Sequence, residues 1–218
     1  MNNKFSTPEN IFKELLCRYP ILNECSNAIL SAYDLIKKMY EENGTLFVAG
    51  NGGSAADSEH IVGELMKSFM AKRTIDTSTQ GTLEEMFSDD ANNLLMALEG
   101  GLPAVSLPSL VALSTAISND VNGEYIFAQS LYSASKKGDL FLGISTSGNS
   151  RNIVNAMMVA KAKGLYTLGL TGKKDCKLDH MCDVVIHVPE TETFKIQELH
   201  LPVYHALCAM LESHFFGE

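Results

Sequence analysis

Three hydroxyl residues in succession, Ser145-Thr146-Ser147, followed by Gly148-Asn149-Ser150, gather side-chain oxygens and backbone N–H groups into one short turn. They come directly after the apolar run LFLGI, and a helical pattern follows them. The same device occurs earlier, where LFVAG runs into Asn51-Gly52-Gly53-Ser54 and then into another helical stretch. A buried strand, a tight Gly/Ser turn and a helix N-terminus aim free N–H groups and the positive helix end at whatever lies above the strand. Two such turns in one domain suit a small anion, and a phosphorylated metabolite is the expected ligand. The second turn lacks the Lys of a nucleotide P-loop, so no nucleotide cofactor is expected. Read alone, that turn could equally be a Ser/Gly helix cap formed by Ser147 or Asn149.

The helix after the first turn carries His60 and Glu64, four residues apart and therefore on one face. They could serve as a general base with an adjacent imidazole, as two ligands of a divalent metal, or as an ordinary surface pair. The run IQELHLPVYH near the C-terminus adds Gln197, Glu198, His200 and His205 to an otherwise apolar helical pattern. Polar groups there need partners if they are buried. Gln197 and His205 are separated by roughly 12 Å of helical rise, too far for two side chains of one straight helix to share an ion easily. Pro202 lies between them and is expected to kink the helix. His200 reads either as functional or as a core histidine bonded to backbone, and His187 is assigned no function. Asn119-Asp120 is either a helix C-terminal turn or a polar pair near the strand ends, where ligands of α/β proteins bind.

Such residues need a scaffold, and the chain supplies a regular one. Apolar runs near Leu46–Ala49, Ala104–Leu107, Leu140–Ile144, Tyr166–Leu170 and Val184–Val188 alternate with amphipathic stretches over Ala55–Phe69, Asn152–Lys163 and Thr193–Phe216. Strands that are apolar throughout, alternating with helices, predict an α/β domain with a parallel sheet covered on both faces. Residues 1–43 form an N-terminal helical extension, split by Pro20, and 44–218 the main domain. The segment Arg73–Pro103 interrupts the alternation with TSTQGT, an acidic patch (Glu84, Glu85, Asp89, Asp90) and an expected helix over Leu83–Leu98. A connection of that length is a lid, a binding loop or an oligomer contact.

Composition narrows the function further. The net charge of −9 argues against nucleic acid as a partner and requires that an anionic substrate be held by local donors. No apolar run is long enough to span a membrane. Five cysteines without a tight pairing motif, and an N-terminus with no secretory pattern, point to reduced thiols and a cytoplasmic protein.

With these residues assembled, the chain resembles the sugar isomerase (SIS) domain family. More narrowly it is similar to the bacterial sedoheptulose 7-phosphate isomerases, or phosphoheptose isomerases, from about Ile29 to Phe216. The resemblance rests on AGNGGSAADSEHIVGEL, ISNDVN, GISTSGNSRNIV, GLTGK and IQELHLPVYH. It implies a flavodoxin-like five-stranded parallel sheet in a homotetramer with active sites at subunit interfaces. By position, it implies that Ser145, Thr146, Ser147 and Ser150 hold the sugar phosphate. Asn51, Gly52, Gly53, Ser54, Asn119, Asp120, Glu64 and Gln197 would contact substrate. His60, Glu64, Gln197 and His205 match the family's zinc site, with one ion per subunit, and Glu64 and His205 its acid–base pair. The implied reaction is ketose–aldose isomerisation of sedoheptulose 7-phosphate. A non-catalytic sugar-phosphate sensor and an isomerase of another phosphosugar are the alternatives. The sequence departs from the family in its long Arg73–Pro103 segment, in Phe194, and in Pro202.

Overall fold

The computed structural model describes residues 6–217. The first five residues, on which part of the reading of the N-terminus and of the 1–43 extension rests, lie outside the described residues, as does Glu218. The chain opens with α1 (Pro8–Arg18), started by Pro8 in its first turn and by the Thr7 hydroxyl accepting from the Asn10 N–H. Pro20 ends that helix, as the sequence predicts, and a 3₁₀ turn over Pro20–Cys25 leads into α2 (Ser26–Glu41). Ile29, Ala32, Tyr33, Ile36, Met39 and Tyr40 share the buried face of α2 at helical spacing.

The sheet then forms from β1 (Leu46–Ala49), β2 (Ala104–Ser106), β3 (Leu140–Ile144), β4 (Tyr166–Thr171) and β5 (Val184–His187). All neighbours pair in parallel, in the order β2-β1-β3-β4-β5. The five strands lie where the apolar runs place them, and the order is that of a flavodoxin-like fold. Alternate strand residues feed two cores. Leu46, Val48, Leu140, Leu142 and Ile144 pack under α1, α2, α3 (Gly53–Met66) and α9 (Thr193–Phe216). Phe47, Ala49 and Phe141 pack under α7 (Ile126–Ala134) and α8 (Arg151–Lys163). The two N-terminal helices therefore belong to one face of the main domain.

The Arg73–Pro103 segment holds two helices, where the sequence predicts one over Leu83–Leu98. They are α4 (Thr77–Phe87), capped by Asp76 accepting from the Thr79 N–H, and α5 (Asp89–Ala97). The break falls at Ser88, whose φ of 46° is in the left-handed region and cannot continue a helix. α4 buries none of its residues, and Met86, Phe87, Leu94 and Met96 stand exposed. After β2, α6 (Val111–Asp120) leads toward α7. Among the described residues, no helix is long and apolar enough to cross a membrane. All five cysteines are free thiols.

Candidate active site

The turns after β1 and β3 meet at the point where the strand order reverses, the position at which open parallel sheets bind ligands. A reciprocal amide pair holds them together: Asn51 Nδ2 donates to Asn152 Oδ1 at 3.0 Å, and Asn152 Nδ2 to Asn51 Oδ1 at 2.8 Å. In the second turn, Ser145 is buried and its Oγ lies 3.0 Å from Ser150 Oγ, while Thr146 and Ser150 are half-buried and Ser147 is exposed. Gly148 closes the turn at φ +61°, donating its N–H to the Ser145 carbonyl. Asn149 is braced from outside, its Oδ1 accepting from the Lys177 N–H at 3.1 Å. The hydroxyl turn and the N-termini of α3 and α8 thus bring backbone and side-chain donors close together.

The second group of residues lies further along α3. His60 Nε2 is 3.1 Å from Glu64 Oε1 and 3.4 Å from His205 Nε2, which α9 supplies. The long side chains of α3 lean toward its N-terminus, so Glu64 reaches back to His60. His60 Nδ1 is 3.1 Å from the Tyr204 hydroxyl, which donates to Asp57 Oδ1 at 3.2 Å. Because Tyr204 spends its one hydrogen on Asp57, its oxygen must accept from His60 Nδ1–H. His60 Nε2 then carries a lone pair and faces a carboxylate oxygen and a second imidazole nitrogen. That arrangement of acceptors is satisfied by a proton or a cation between them. Two imidazoles and a carboxylate are donor types that a divalent metal accepts, but Glu64 and His205 flank His60 Nε2, and the three donor atoms do not all come within 4.8 Å of one another. Burial, and then the neighbouring charge of His60, hold the His205 imidazole below its ordinary value. Burial pushes the Asp57 carboxyl up and the Tyr204 phenol well up.

Gln197 is placed differently. A Cβ at Gly53 would come within 2.7 Å of Gln197 Nε2, so this amide lies against the start of α3. α3 and α9 therefore run side by side in the same direction, Gln197 beside Gly53 and His205 beside His60. Among the described residues, no hydrogen bond joins Gln197 to His60, Glu64 or His205. Asn119 and Asp120 end α6, exposed, with Asn119 Nδ2 donating to Asp120 Oδ1 at 2.8 Å, and no described hydrogen bond connects them to either turn. Gly52 and Gly53 are exposed at the first turn, and Ser54 is buried behind it. Glu198 is exposed, whereas His200 is buried, its Nε2 3.3 Å from the Thr171 carbonyl, as a core histidine would be. α9 remains one helix through Pro202.

Sequence reasoning did not single out Asp57, Tyr204, Asn152 or Arg73. Asp57 sits one turn before His60 on the same helix face, a spacing that was legible. Arg73 was not legible, because its partners are remote in the chain. Its Nε donates to Glu212 Oε1 at 2.8 Å, its Nη1 to the Leu65 carbonyl at 2.6 Å and its Nη2 to the Glu64 carbonyl at 2.8 Å. A fully buried guanidinium thus pins the backbone that carries Glu64.

The strand order and the paired turns define an α/β domain of the sugar isomerase type, and the sequence profile of the SIS domain matches residues 83–172. The phosphoheptose isomerase of Aneurinibacillus thermoaerophilus is 37% identical over 82% of this chain and 77% of its own length. That of Helicobacter hepaticus is 34% identical over 85% and 82%. The chain belongs to the phosphoheptose isomerase family. Among solved structures, the phosphoheptose isomerase of Neisseria gonorrhoeae superposes with a TM-score of 0.72 at 28% identity, covering 93% of this chain and 95% of that one. The Francisella tularensis enzyme gives 0.74 at 26% identity, covering 94% and 96%.

Proposed function

We propose that this protein is a ketose–aldose isomerase that converts sedoheptulose 7-phosphate to D-glycero-D-manno-heptose 7-phosphate through an enediol. One observation carries the reading: the anion turns and the His60–Glu64–His205 group lie at two points along the parallel pair α3 and α9. Seven residues of α3 separate Gly53 from His60, roughly 10 Å of rise. That is comparable to the length of an extended seven-carbon chain with its phosphate at one end.

In this reading Ser145, Thr146, Ser147 and Ser150 hold the phosphate together with the amides of Asn51, Gly52, Gly53 and Ser54. Fixing that end fixes where the carbonyl falls. Glu64 removes the proton from the hydroxymethyl carbon next to the carbonyl, leaving an enediol, and returns it to the former carbonyl carbon. His205, kept neutral by its surroundings, has one N–H and one lone pair, the form that carries the hydroxyl proton between the two oxygens. His60, held by Tyr204 and Asp57, orients both partners.

His60, Glu64 and His205 would hold one zinc ion per subunit, with Gln197 completing the set or binding a substrate hydroxyl between the turn and the imidazoles. Zinc there would supply Lewis-acid stabilisation of the negative charge that develops on the substrate oxygens. Asn119 and Asp120 would contact the sugar across a subunit boundary. A homotetramer with interface sites fits the exposed apolar residues beside the site, Met66, Met70, Phe194 and Leu201. The domain assignment (1–43 extension, 44–218 SIS domain with the 73–103 insertion) and a cytoplasmic location belong to the same proposal.

The test is to incubate the purified protein with sedoheptulose 7-phosphate, with and without Zn²⁺, and to follow the sugar by NMR. Appearance of an aldoheptose phosphate is expected, and its loss with a chelator places the metal in the reaction. Binding of the ester without conversion under either condition overturns the proposal.

A further inference from the structure

The turn that holds Ser145–Ser150 has a second group of chemically active residues behind it. Cys176 follows β4 and Asp179 lies in the 3₁₀ turn Lys177–His180, while His187 ends β5. Cys176 Sγ is 3.4 Å from Asp179 Oδ1, which is 2.8 Å from His187 Nε2, and the three donor atoms all lie within 4.8 Å of one another. None belongs to the isomerase site.

The hydrogen bonds around the group fix its chemistry. His187 Nδ1 is 2.8 Å from the Gly172 carbonyl, an acceptor only, so Nδ1 carries a hydrogen. A neutral His187 therefore turns the lone pair of Nε2 toward Asp179 Oδ1, itself an acceptor when ionised. Asp179 Oδ2 is engaged by the Cys176 N–H at 2.7 Å, which orients the carboxylate toward the thiol and the imidazole. Two acceptors at 2.8 Å need either a second proton on the ring or a cation, and a thiol beside them supplies a third ligand.

The cluster can be reshaped to hold a cation. Zinc bonds of about 2.3 Å to sulfur and about 2.1 Å to nitrogen and oxygen, in a tetrahedron, place S and O about 3.6 Å apart and N and O about 3.4 Å apart. The observed Cys176–Asp179 separation of 3.4 Å is close to the first value, whereas the His187–Asp179 pair, at a hydrogen-bond distance of 2.8 Å, must open when a cation binds. Cys176 is buried, with its Sγ turned to Asp179 Oδ1. Asp179 and His187 keep 24% and 32% of their side chains exposed, leaving an open side for a fourth ligand such as water.

We infer that Cys176, Asp179 and His187 form a second divalent-cation site for a borderline-soft ion such as Zn²⁺, separate from the isomerase centre and built against the phosphate turn. The link to the turn is direct. A Cβ at Gly148 would fall 2.2 Å from Cys176 Sγ, so the ligand sulfur packs on the residue that closes the hydroxyl turn. Asn149 of the turn is bonded to the Lys177 N–H, next to Cys176. A metal at this site braces the turn.

Co²⁺ tests this without any turnover. Metal-stripped full-length protein titrated with Co²⁺ is expected to develop a near-ultraviolet thiolate-to-cobalt band together with the visible bands of four-coordinate cobalt. Cys176→Ser is expected to lose the near-ultraviolet band, and His187→Gln to weaken that equivalent at least about tenfold. A His60→Ala variant, altered only at the isomerase centre, should keep the band. Circular dichroism of each variant confirms that it is folded. Absence of the thiolate band in the wild type, with His187 and Asp179 forming an imidazolium–carboxylate pair only, overturns the proposal. Persistence of the band in folded Cys176→Ser overturns it as well.

Discussion

Replacing Glu212 by Gln probes the buried charge pair that anchors the site. The Glu212 carboxylate accepts three hydrogen bonds: from Arg73 Nε and the Phe69 N–H at Oε1, both at 2.8 Å, and from the Met70 N–H at Oε2, also at 2.8 Å. Both side chains of the pair are buried, at 0% and 1% exposure. A glutamine can keep the Oε1 contacts but presents an NH₂ group to the Met70 N–H, and it removes the counter-charge of Arg73. An uncompensated buried cation of this kind costs about 3–5 kcal/mol. For a chain of this length, each kcal/mol lowers the melting temperature by roughly 2–4 °C, so a fall of roughly 6–20 °C is expected. The measurement is thermal unfolding by circular dichroism, with wild type and variant at equal protomer concentration because assembly shifts the midpoint. Replacing both residues by Met and Leu should not restore full stability. Phe69 and Met70 would lose their acceptors, and the Leu65 and Glu64 carbonyls would lose the guanidinium that satisfies them. A change below about 1 kcal/mol in Glu212→Gln would refute the reasoning, because it would place that pair in the range of solvent-screened ion pairs.

Three further outcomes follow from the same geometry. Glu64→Gln should lower kcat by about a hundredfold or more while sugar-phosphate binding, followed by calorimetry, survives; substantial remaining turnover would remove Glu64 as the base. Tyr204→Phe takes away the acceptor that fixes the His60 tautomer, so zinc affinity at the isomerase centre, measured by competition with a chelating dye, should fall about tenfold to a hundredfold. Unchanged affinity would mean that the ring is held by something else. Burial lowers His200 to about 4 from an ordinary 6.5, so between these values the unfolded chain takes up a proton that the folded chain refuses. Stability is then highest above pH 6.5 and is lost as the pH falls toward 4, by about 3 kcal/mol in all. Urea unfolding of wild type and His200→Gln across that range should show the wild type losing more, and equal losses would contradict the assignment.

The sequence reads clearly wherever a local rule governs. Strands of a sheet covered on both faces are largely apolar, and each of the five apolar runs became a strand. Pro20 ends a helix because its ring removes a donor and blocks the preceding turn. The hydroxyl turn was legible because its residues are consecutive, as was the His60–Glu64 pair because helical spacing alone makes them neighbours. The single helix expected over Leu83–Leu98 failed at Ser88, since periodicity cannot report a left-handed φ at a residue that is not glycine. Arg73, Tyr204 and Asp57 went unseen for another reason. Their roles arise from contacts across 139, 144 and 147 positions of chain, which only the packing of α9 on α3 creates.

That packing explains why the site is built on helices of parallel direction. In the proposed reading, the carboxyl ends of β1 and β3 supply the anion position, but no chemistry at a distance from the phosphate. Chemistry at the far end of a long sugar requires rigid side-chain carriers that leave the sheet together and stay in register. α3 leaves directly from the first turn, and α9 returns beside it with Gln197 against Gly53 and Tyr204 against His60. Register between the two is held at three levels: by the Gln197–Gly53 contact, by the Asp57–Tyr204–His60 chain, and by the Arg73–Glu212 pair at the end of α3. In the proposed reading, loosening the Arg73–Glu212 level would move Glu64 relative to the hydroxyl turn without touching any group at the reacting carbons. In the proposed reading, the span from turn to imidazoles selects for chain length, and a phosphosugar with a shorter carbon chain would not fill both ends at once.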